Sequence, residues 1–218
     1  VSSGASLNIS GRIFGDDDTN PAGNIVKSGA GNATISSRAM LNKISSVAGE
    51  IALAYKEDDG NTVHILDGSK SGTAAGSLRL KEKVKLNVSG QLWGNSQSSV
   101  VLEKDAALTH GGVEFSNKGT ADAILKSSEN DKQFSADSTD WVLSNGHLKS
   151  AASDLTVSTK LTNSSVENAG GGLMTVNNAA NTISGVYATA GDMAVMQQAL
   201  GMNLNELEVG DGMTVSAY

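Results

Sequence analysis

The sequence has no cysteine, a single proline, few aromatic residues and few positive charges. The lack of cysteine excludes disulfides, thiol nucleophiles and cysteine-ligated zinc or iron–sulfur sites. No apolar run approaches the roughly 18 residues of a membrane span. With 16 Lys and Arg against 23 Asp and Glu, the net charge is −7. Binding to nucleic acid or to an anionic membrane surface is therefore not expected.

Aromatic residues make up 4% of the chain, so its core must consist of Val, Leu, Ile and Ala. Such small aliphatic side chains fill a narrow interior well and a wide one badly. The composition therefore predicts a thin core that repeats along an axis. The 25 glycines, with many Ser and Asn residues, predict frequent tight turns.

Short runs of alternating apolar and polar residues dominate the chain and predict strands separated by Gly and Asn turns. This pattern fits either a β-solenoid or a β-sandwich of Greek-key type, and the scarcity of aromatics favours the solenoid. No strict repeat period is visible, which excludes a regular hexapeptide or nonapeptide helix. The predicted strands lie near residues 1–13, 63–65, 78–88, 91–93, 99–103, 106–109, 112–115, 121–125, 140–143, 147–148, 154–157, 160–162, 165–166, 172–176 and 182–188.

Two segments are predicted to be helical. Met40, Leu41, Ile44 and Val47 recur at helical spacing and predict a helix over residues 37–47. A short helix is predicted over 192–200, where it would cap the end of a solenoid. We expect one elongated β domain over 1–218, with a less regular part at 1–60, the main β region at 61–190, and a helix plus terminal strand at 191–218.

Residues 98–112 and 155–185 resemble the coils of bacterial autotransporter passenger domains, and the resemblance extends over about 77–188. It implies a right-handed parallel β-helix, export across an outer membrane, and a role in adhesion or aggregation. The chain starts at Val1 without a visible leader, as expected of a processed form or a fragment.

The two ends of the chain resemble those of fimbrial subunits. Residues 4–13, and a last strand ending at Tyr218, look like segments that complete the open sheet of a neighbouring subunit. This resemblance implies an immunoglobulin-like β-sandwich that polymerises by strand donation. The cysteine pair usual in fimbrial subunits is missing.

One acidic segment has part of the spacing of a calcium loop. Asp16, Asp18 and Asn20 alternate as oxygen ligands do in an EF-hand, but Pro21 replaces the turn glycine and Lys27 the bidentate glutamate. We interpret the segment as a solvated loop, with a weak calcium site as the alternative. Residues 57–60 form a similar acidic turn.

Catalytic and metal-binding motifs are missing from the sequence. His64, His110 and His147 are far apart, and there is no H-E-x-x-H, no G-x-S-x-G and no phosphate-binding glycine loop. We therefore predict no enzymatic activity and no catalytic, metal or cofactor site. The three arginines, Arg12, Arg38 and Arg79, are too scattered for a polysaccharide lyase.

A carbohydrate site is the best remaining candidate. Asp137 and Asp140 are predicted to share a loop, with Trp141 beside them as a stacking platform for sugars. The alternative is that Trp141 packs at the end of a strand. Methionines are interpreted either as contact surfaces or as filler of the core and its ends. These are Met40, Met193, Met196, Met202 and Met213.

These observations lead to a functional hypothesis. The chain is predicted to be an extracellular structural or adhesive module of a bacterial exported protein, which contacts a host or sister-cell surface, or other copies of itself. One alternative is a fimbrial subunit, and another is a carbohydrate-binding or polysaccharide-active β-helix. Four Asn-x-Ser/Thr triplets, at Asn8, Asn32, Asn87 and Asn163, follow from composition in a bacterial chain.

Overall fold

A parallel β-solenoid of about 8 turns is formed by the chain. The computed structural model describes residues 1–13, 23–55, 62–65, 71–73, 76–196 and 204–218. These residues form strands, turns and bends, without a helix. The predicted all-β solenoid is therefore confirmed. The alternative, an immunoglobulin-like sandwich, is wrong, because most strands stack in parallel on the equivalent strand of the next coil.

The strands form three faces. Among the described residues, face 1 contains nine strands that follow one another along the solenoid axis. They are β1 (Ser6–Ile9), β3 (Asn32–Ile35), β6 (Glu50–Leu53), β9 (Ser77–Leu80), β12 (Val100–Leu102), β15 (Ala123–Ser127), β17 (Trp141–Ser144) and the first parts of β20 (Lys160–Asn168) and β22 (Thr182–Ala188).

Face 2 contains the second parts of β20 and β22, which bend from one face onto the next. Its other strands are β4 (Met40–Leu41), β7 (Thr62–Ile65), β10 (Lys85–Val88), β13 (Ala107–His110), β14 (Val113–Ser116), β18 (His147–Ser150) and β24 (Glu206–Val209).

Face 3 consists of a five-stranded and a four-stranded sheet. The first contains β2 (Asn24–Lys27), β5 (Lys43–Ser46), β8 (Ser71–Thr73), β11 (Leu92–Gly94) and β16 (Lys132–Gln133). The second contains β19 (Leu155–Val157), β21 (Met174–Val176), β23 (Met193–Val195) and β25 (Val215–Ala217).

The coils differ in length, which explains why the sequence shows no strict period. Leu148 pairs with Val166, 18 residues later, whereas Ile51 pairs with Leu78, 27 residues later. The inward positions of the described strands nevertheless keep their register from coil to coil.

Among the described strands, one coil runs in the opposite direction to the rest. After β13 the chain turns back, so β14 pairs with β13, β15 with β12 and β16 with β11, all antiparallel. Strand β17 then restores the original direction. The reversal occurs at a two-residue turn, Gly111-Gly112, where φ is 57° and 78°. Two successive positive φ values are those of a type I′ hairpin turn.

The core is a thin aliphatic column, as the composition predicts. On face 1 a single inward row contains six fully buried aliphatic residues, each paired with the next. They are Ile51, Leu78, Val100, Leu125, Leu143 and Leu161. Large rings enter the core at the reversed coil, where Phe134 makes edge contacts with Phe115 and Trp141 at 5.0 and 5.2 Å.

The predicted helix over 37–47 is wrong. This segment contains β4 and β5, which pair with β7 and with β2 and β8. Leu41 and Ile44 are buried, as a helical stripe would also require, but Ser45 and Ser46 are buried as well. Pairing with adjacent coils therefore overrides the helical spacing, because it satisfies the backbone in the extended form.

The helix predicted over 192–200 is also wrong for the residues that the structure describes. Residues 193–195 form β23, with Met193 and Val195 buried in the column, and residues 197–203 lie outside the described part.

The single strand predicted over 78–88 is two strands, β9 and β10, with Lys83 between them at φ 64°. The other strand predictions over 91–188 are confirmed to within a few residues, except that 160–162 and 165–166 belong to one strand, β20.

The reversal turn gives a stability prediction. Gly112→Ala should lower the free energy of unfolding by about 1–2 kcal/mol, because a Cβ is disfavoured in the left-handed region. Gly171→Ala is the matched control, since Gly171 has open space around it and no left-handed φ. Chemical denaturation measures both. Equal stability of the two variants would contradict this description of the turn.

Candidate functional site

A cleft of about 420 Å³ lies at the corner between faces 1 and 2. We call it the corner cleft. It runs across β18, β20, β22 and the start of β24, and thus along the solenoid axis. The residues that line it are mostly small or polar, and comprise Lys118, Gly119, Thr120, Ala121, Asn145, Gly146, His147, Asn163, Ser165, Ser184, Gly185, Tyr187, Asn205 and Glu206.

Asparagines form the bend at one side of the cleft. Asn145 and Asn163 adopt left-handed conformations, with φ of 54° and 48°, which Asn tolerates better than most residues. Asn163 Nδ2 donates a hydrogen bond to Asn145 Oδ1 at 3.0 Å. Pairing of β20 with β22 is irregular at the same place, which allows both strands to continue onto face 2.

A turn over residues 117–121 forms the opposite wall. Asn117 is fully buried, and its Nδ2 donates to the carbonyl oxygens of Leu102 and Ala121 at 2.9 and 2.8 Å. Its Oδ1 accepts from the Gly119 amide at 2.9 Å. One buried side chain therefore fixes the turn that holds Lys118 over the cleft.

His147 is the most buried polar residue of the cleft, with 1% of its side chain exposed. Its Nδ1 lies 2.7 Å from Ser165 Oγ. Its Nε2 lies 2.9 Å from both Lys118 Nζ and Glu167 Oε2. A neutral imidazole nitrogen can either accept from the lysine or donate to the carboxylate. Two opposite charges therefore compete for one atom.

The charges around His147 shift two pKa values. Burial, and then the positive charge of Lys118, lower the pKa of His147 to about 4, against the opposing effect of Glu167. Burial acts to raise the pKa of Glu167, but hydrogen bonds from His147 and Lys149 outweigh it and lower this pKa to about 2. At neutral pH the imidazole is therefore neutral and the carboxylate ionised.

Tyr187 covers the floor of the cleft at Gly185. A Cβ added at Gly185 would lie 3.0 Å from the Tyr187 ring, so the ring would have to shift to make room for any larger residue there. The Tyr187 hydroxyl donates to Glu206 Oε2, while Lys118 Nζ lies 5.7 Å from the ring centroid. Burial, followed by the bond to Glu206, raises the pKa of Tyr187 to about 12.

Ser165, His147 and Glu167 form a hydrogen-bonded line from hydroxyl to imidazole to carboxylate. Such a line can in principle activate a serine. However, a general base works best with a pKa near the working pH, and here the imidazole pKa is about 4, with a lysine beside Nε2. The arrangement is thus a poor proton acceptor at neutral pH and is better suited to holding a fixed polar surface.

The predicted sugar platform at Trp141 is wrong. The ring is 1% exposed, and its Nε1 donates to the Gln133 carbonyl at 3.2 Å. Trp141 therefore packs in the core at one end of strand β17, as the alternative interpretation predicted. Of the two predicted carboxylates, Asp140 forms an ion pair with Lys132 at 3.0 Å, and Asp137 accepts from Ser135.

The remaining predicted positions that the structure describes do not converge on the corner cleft. His110 lies on face 2, with Nδ1 3.0 Å from the Val88 carbonyl oxygen, and borders a second cleft with Asp137 and Asp154. His64 lies in β7, and the acidic segments at 16–20 and 57–60 lie outside the described residues. Met193 is core, and Met196 and Met213 pack against it.

Sequence reasoning missed most of the cleft. Asn145 and Asn163 lie 18 residues apart and occupy equivalent positions at the corner of neighbouring coils. The sequence does not reveal this equivalence, because the length of this coil is known only from the structure. Lys118 and Tyr187 have no sequence signal, because they reach the cleft from non-adjacent turns and strands.

No protein-family model, curated protein or solved structure matches this chain. The part of the chain that the structure describes contains no helix that could span a membrane. Within that same part, no three His, Asp or Glu side chains are grouped as a metal site would require.

The lowered pKa of His147 predicts a pH-dependent stability. In the unfolded chain this histidine binds a proton near pH 6.5, and in the folded chain only near pH 4. Stability should therefore be lost as the pH falls from about 6.5 to 4, by on the order of 2 kcal/mol at pH 5. Glu167 acts in the same direction at lower pH, since its pKa is also lowered.

Denaturant unfolding of the parent and of His147→Gln at pH 7.5 and pH 5 measures the effect. The difference in stability between the two pH values should shrink in His147→Gln. His110→Gln is the control, because its ring lies outside this cluster, and it should keep the parent's difference. An unchanged difference in His147→Gln would exclude this histidine as the cause.

Proposed function

We propose that this chain is an extracellular structural and adhesive module of a bacterial exported protein, as its autotransporter-like coils suggest. The observation that carries the proposal is the corner cleft, because it lies across several stacked coils that hold its side chains at fixed spacing. Preorganised side chains lose little conformational entropy when a surface binds to them. The contact is made with a host or sister-cell surface.

The outward rows of face 2 support this proposal. Glu114, Lys149, Glu167, Tyr187 and Glu208 succeed one another on paired strands. Lys149 Nζ lies 3.2 Å from Glu167 Oε1, so neighbouring coils are also joined by their charges. A polar ladder of this kind is suited to a wetted contact surface and not to a buried core.

Adhesion can be tested on beads, using the fact that the chain has no cysteine of its own. Thr120→Cys places a single thiol on the exposed wall of the cleft, and Lys126→Cys places one on an exposed position of face 1. Beads carrying the unlabelled proteins should retain bacterial or animal cells above an albumin control. A bulky maleimide at position 120 should abolish retention, and the same label at 126 should not.

Two results would contradict the proposal. One is that beads bearing the unlabelled chain retain neither kind of cell and do not aggregate with one another. The other is that the labels at positions 120 and 126 have the same effect, which would remove the cleft as the contact surface.

A second candidate function is polymerisation with other copies, as in a fibre. Among the described strands, β1 and β24 each pair on one side only. Leu207 continues the inward row of Val166 and Val186 but is 58% exposed, and Leu7 on β1 is 47% exposed. An apolar row beside an open strand edge favours the addition of another strand. Strand β1 is already paired with β3, so the added strand would extend the solenoid instead of completing a sandwich.

Sedimentation at increasing concentration separates the two candidates. Stacking predicts a mass that grows with concentration, and Leu207→Glu should prevent this by placing a charge in the apolar row. A monomer over the whole concentration range would rule out the second candidate while leaving adhesion untouched.

A further inference from the structure

We propose that the corner cleft binds a neutral, hydroxyl-rich linear glycan that lies along the solenoid axis. This inference rests on the proposed adhesive function and names the chemistry of its ligand. It follows from three properties of the cleft, namely its direction, its hydrogen-bonding groups and the balance of its charges.

The direction of the cleft favours a linear ligand. Successive coils are about 4.8 Å apart, so polar groups at one corner repeat at this interval along the axis. At this corner the repeated positions are Asn145, Asn163, Ser184 and Asn205. Asn145 Oδ1 accepts from Asn163 Nδ2, and the Asn205 amide donates to the carbonyl of Ser184, so the four residues form two neighbouring pairs on successive coils. The irregular pairing of β20 with β22 lies between the two pairs. A chain of repeating sugar units can present hydroxyls at each step.

The hydrogen-bonding groups favour hydroxyls as partners. Each of the three asparagines is exposed, and each carboxamide has two donors and an acceptor. The bond between Asn163 and Asn145 uses one donor and part of one acceptor and leaves the rest for a ligand. Ser165 and Ser184 add hydroxyls at the floor. Sugar hydroxyls both donate and accept, and they match such a mixed set.

The charges of the cleft favour a neutral ligand. Lys118 is shared by His147 and Glu167, and Glu206 accepts from Tyr187. An anionic ligand would meet Glu206, whereas a cationic one would meet Lys118. Because one charge of each sign borders the cleft, neither is attracted strongly.

The same lining disfavours a peptide. Peptide sites obtain most of their affinity from aromatic or aliphatic anchors in apolar pockets, or from an open strand edge. The cleft lies on the faces of paired strands, and its aromatic ring, Tyr187, is packed over Gly185. Apart from its end at β24, where a strand edge is open, the described cleft therefore offers neither kind of anchor.

The test is an array of neutral, acidic and amino oligosaccharides, followed by calorimetry with the neutral oligosaccharides that bind. The parent should bind neutral oligosaccharides, with affinity rising with chain length until the cleft is spanned. Asn163→Asp and Asn205→Asp each replace the amide donor of the side chain with a carboxylate of the same shape. Each should weaken binding by about tenfold or more, because a hydrogen-bond donor to the ligand is lost. Asp also tolerates the left-handed backbone of position 163.

Asn32→Asp is the matched control, since Asn32 is exposed on β3 of face 1 and outside the cleft. It should bind as the parent does, and thermal unfolding should show that all three variants are folded. Retention of acidic or amino glycans alone, equal binding by Asn163→Asp and Asn32→Asp, or no binding on the array would each overturn the inference. Cell retention by the beads despite a silent array would leave adhesion standing and remove only the glycan.

Discussion

Backbone pairing between equivalent strands of successive coils is the constraint on which this structure depends. It fixes each inward position directly over the same position of the preceding coil, so the row from Ile51 to Leu161 becomes a continuous aliphatic column. The cross-section stays narrow, and small aliphatic side chains are suited to filling it. The turns carry no such constraint, and coils of 18 to 27 residues share one core.

The reversed coil explains both the aromatic cluster and the corner cleft. The turn that connects β14 with β15 lies at the same corner as the tight Asn145–Gly146 turn of the next coil, because both turns join face 1 to face 2. The turn over residues 117–121 is longer than the Asn145–Gly146 turn, and it places Lys118 Nζ 2.9 Å from His147 Nε2. At the same level Phe115, Phe134 and Trp141 fill the part of the core where the regular coil is interrupted.

The sequence was sufficient for the fold class but not for the site. Alternation around Leu78, Leu86 and Leu143 survives in the structure, since period-two burial is a local property. The helix predicted over 37–47 was wrong, because the spacing of Leu41 and Ile44 also fits a helix. The strands that pair with this segment and keep it extended lie in other coils, where a local pattern does not reveal them. The cleft could not be predicted for the same reason. Lys118, Asn163 and Tyr187 come together through the strand register, and the sequence does not show this register because the coils differ in length.

The buried histidine and the ligand chemistry are connected through Glu167. This carboxylate contacts His147, Lys149 and Lys118, so the charges nearest the cleft floor are compensated within the protein. Compensated charges attract an ionic ligand weakly, and the groups left with unused hydrogen-bonding capacity are the corner amides and hydroxyls. Protonation of His147 would add a positive charge beneath Ser165 and disturb this balance. The neutrality of the imidazole therefore stabilises the fold and also keeps the cleft suited to an uncharged ligand.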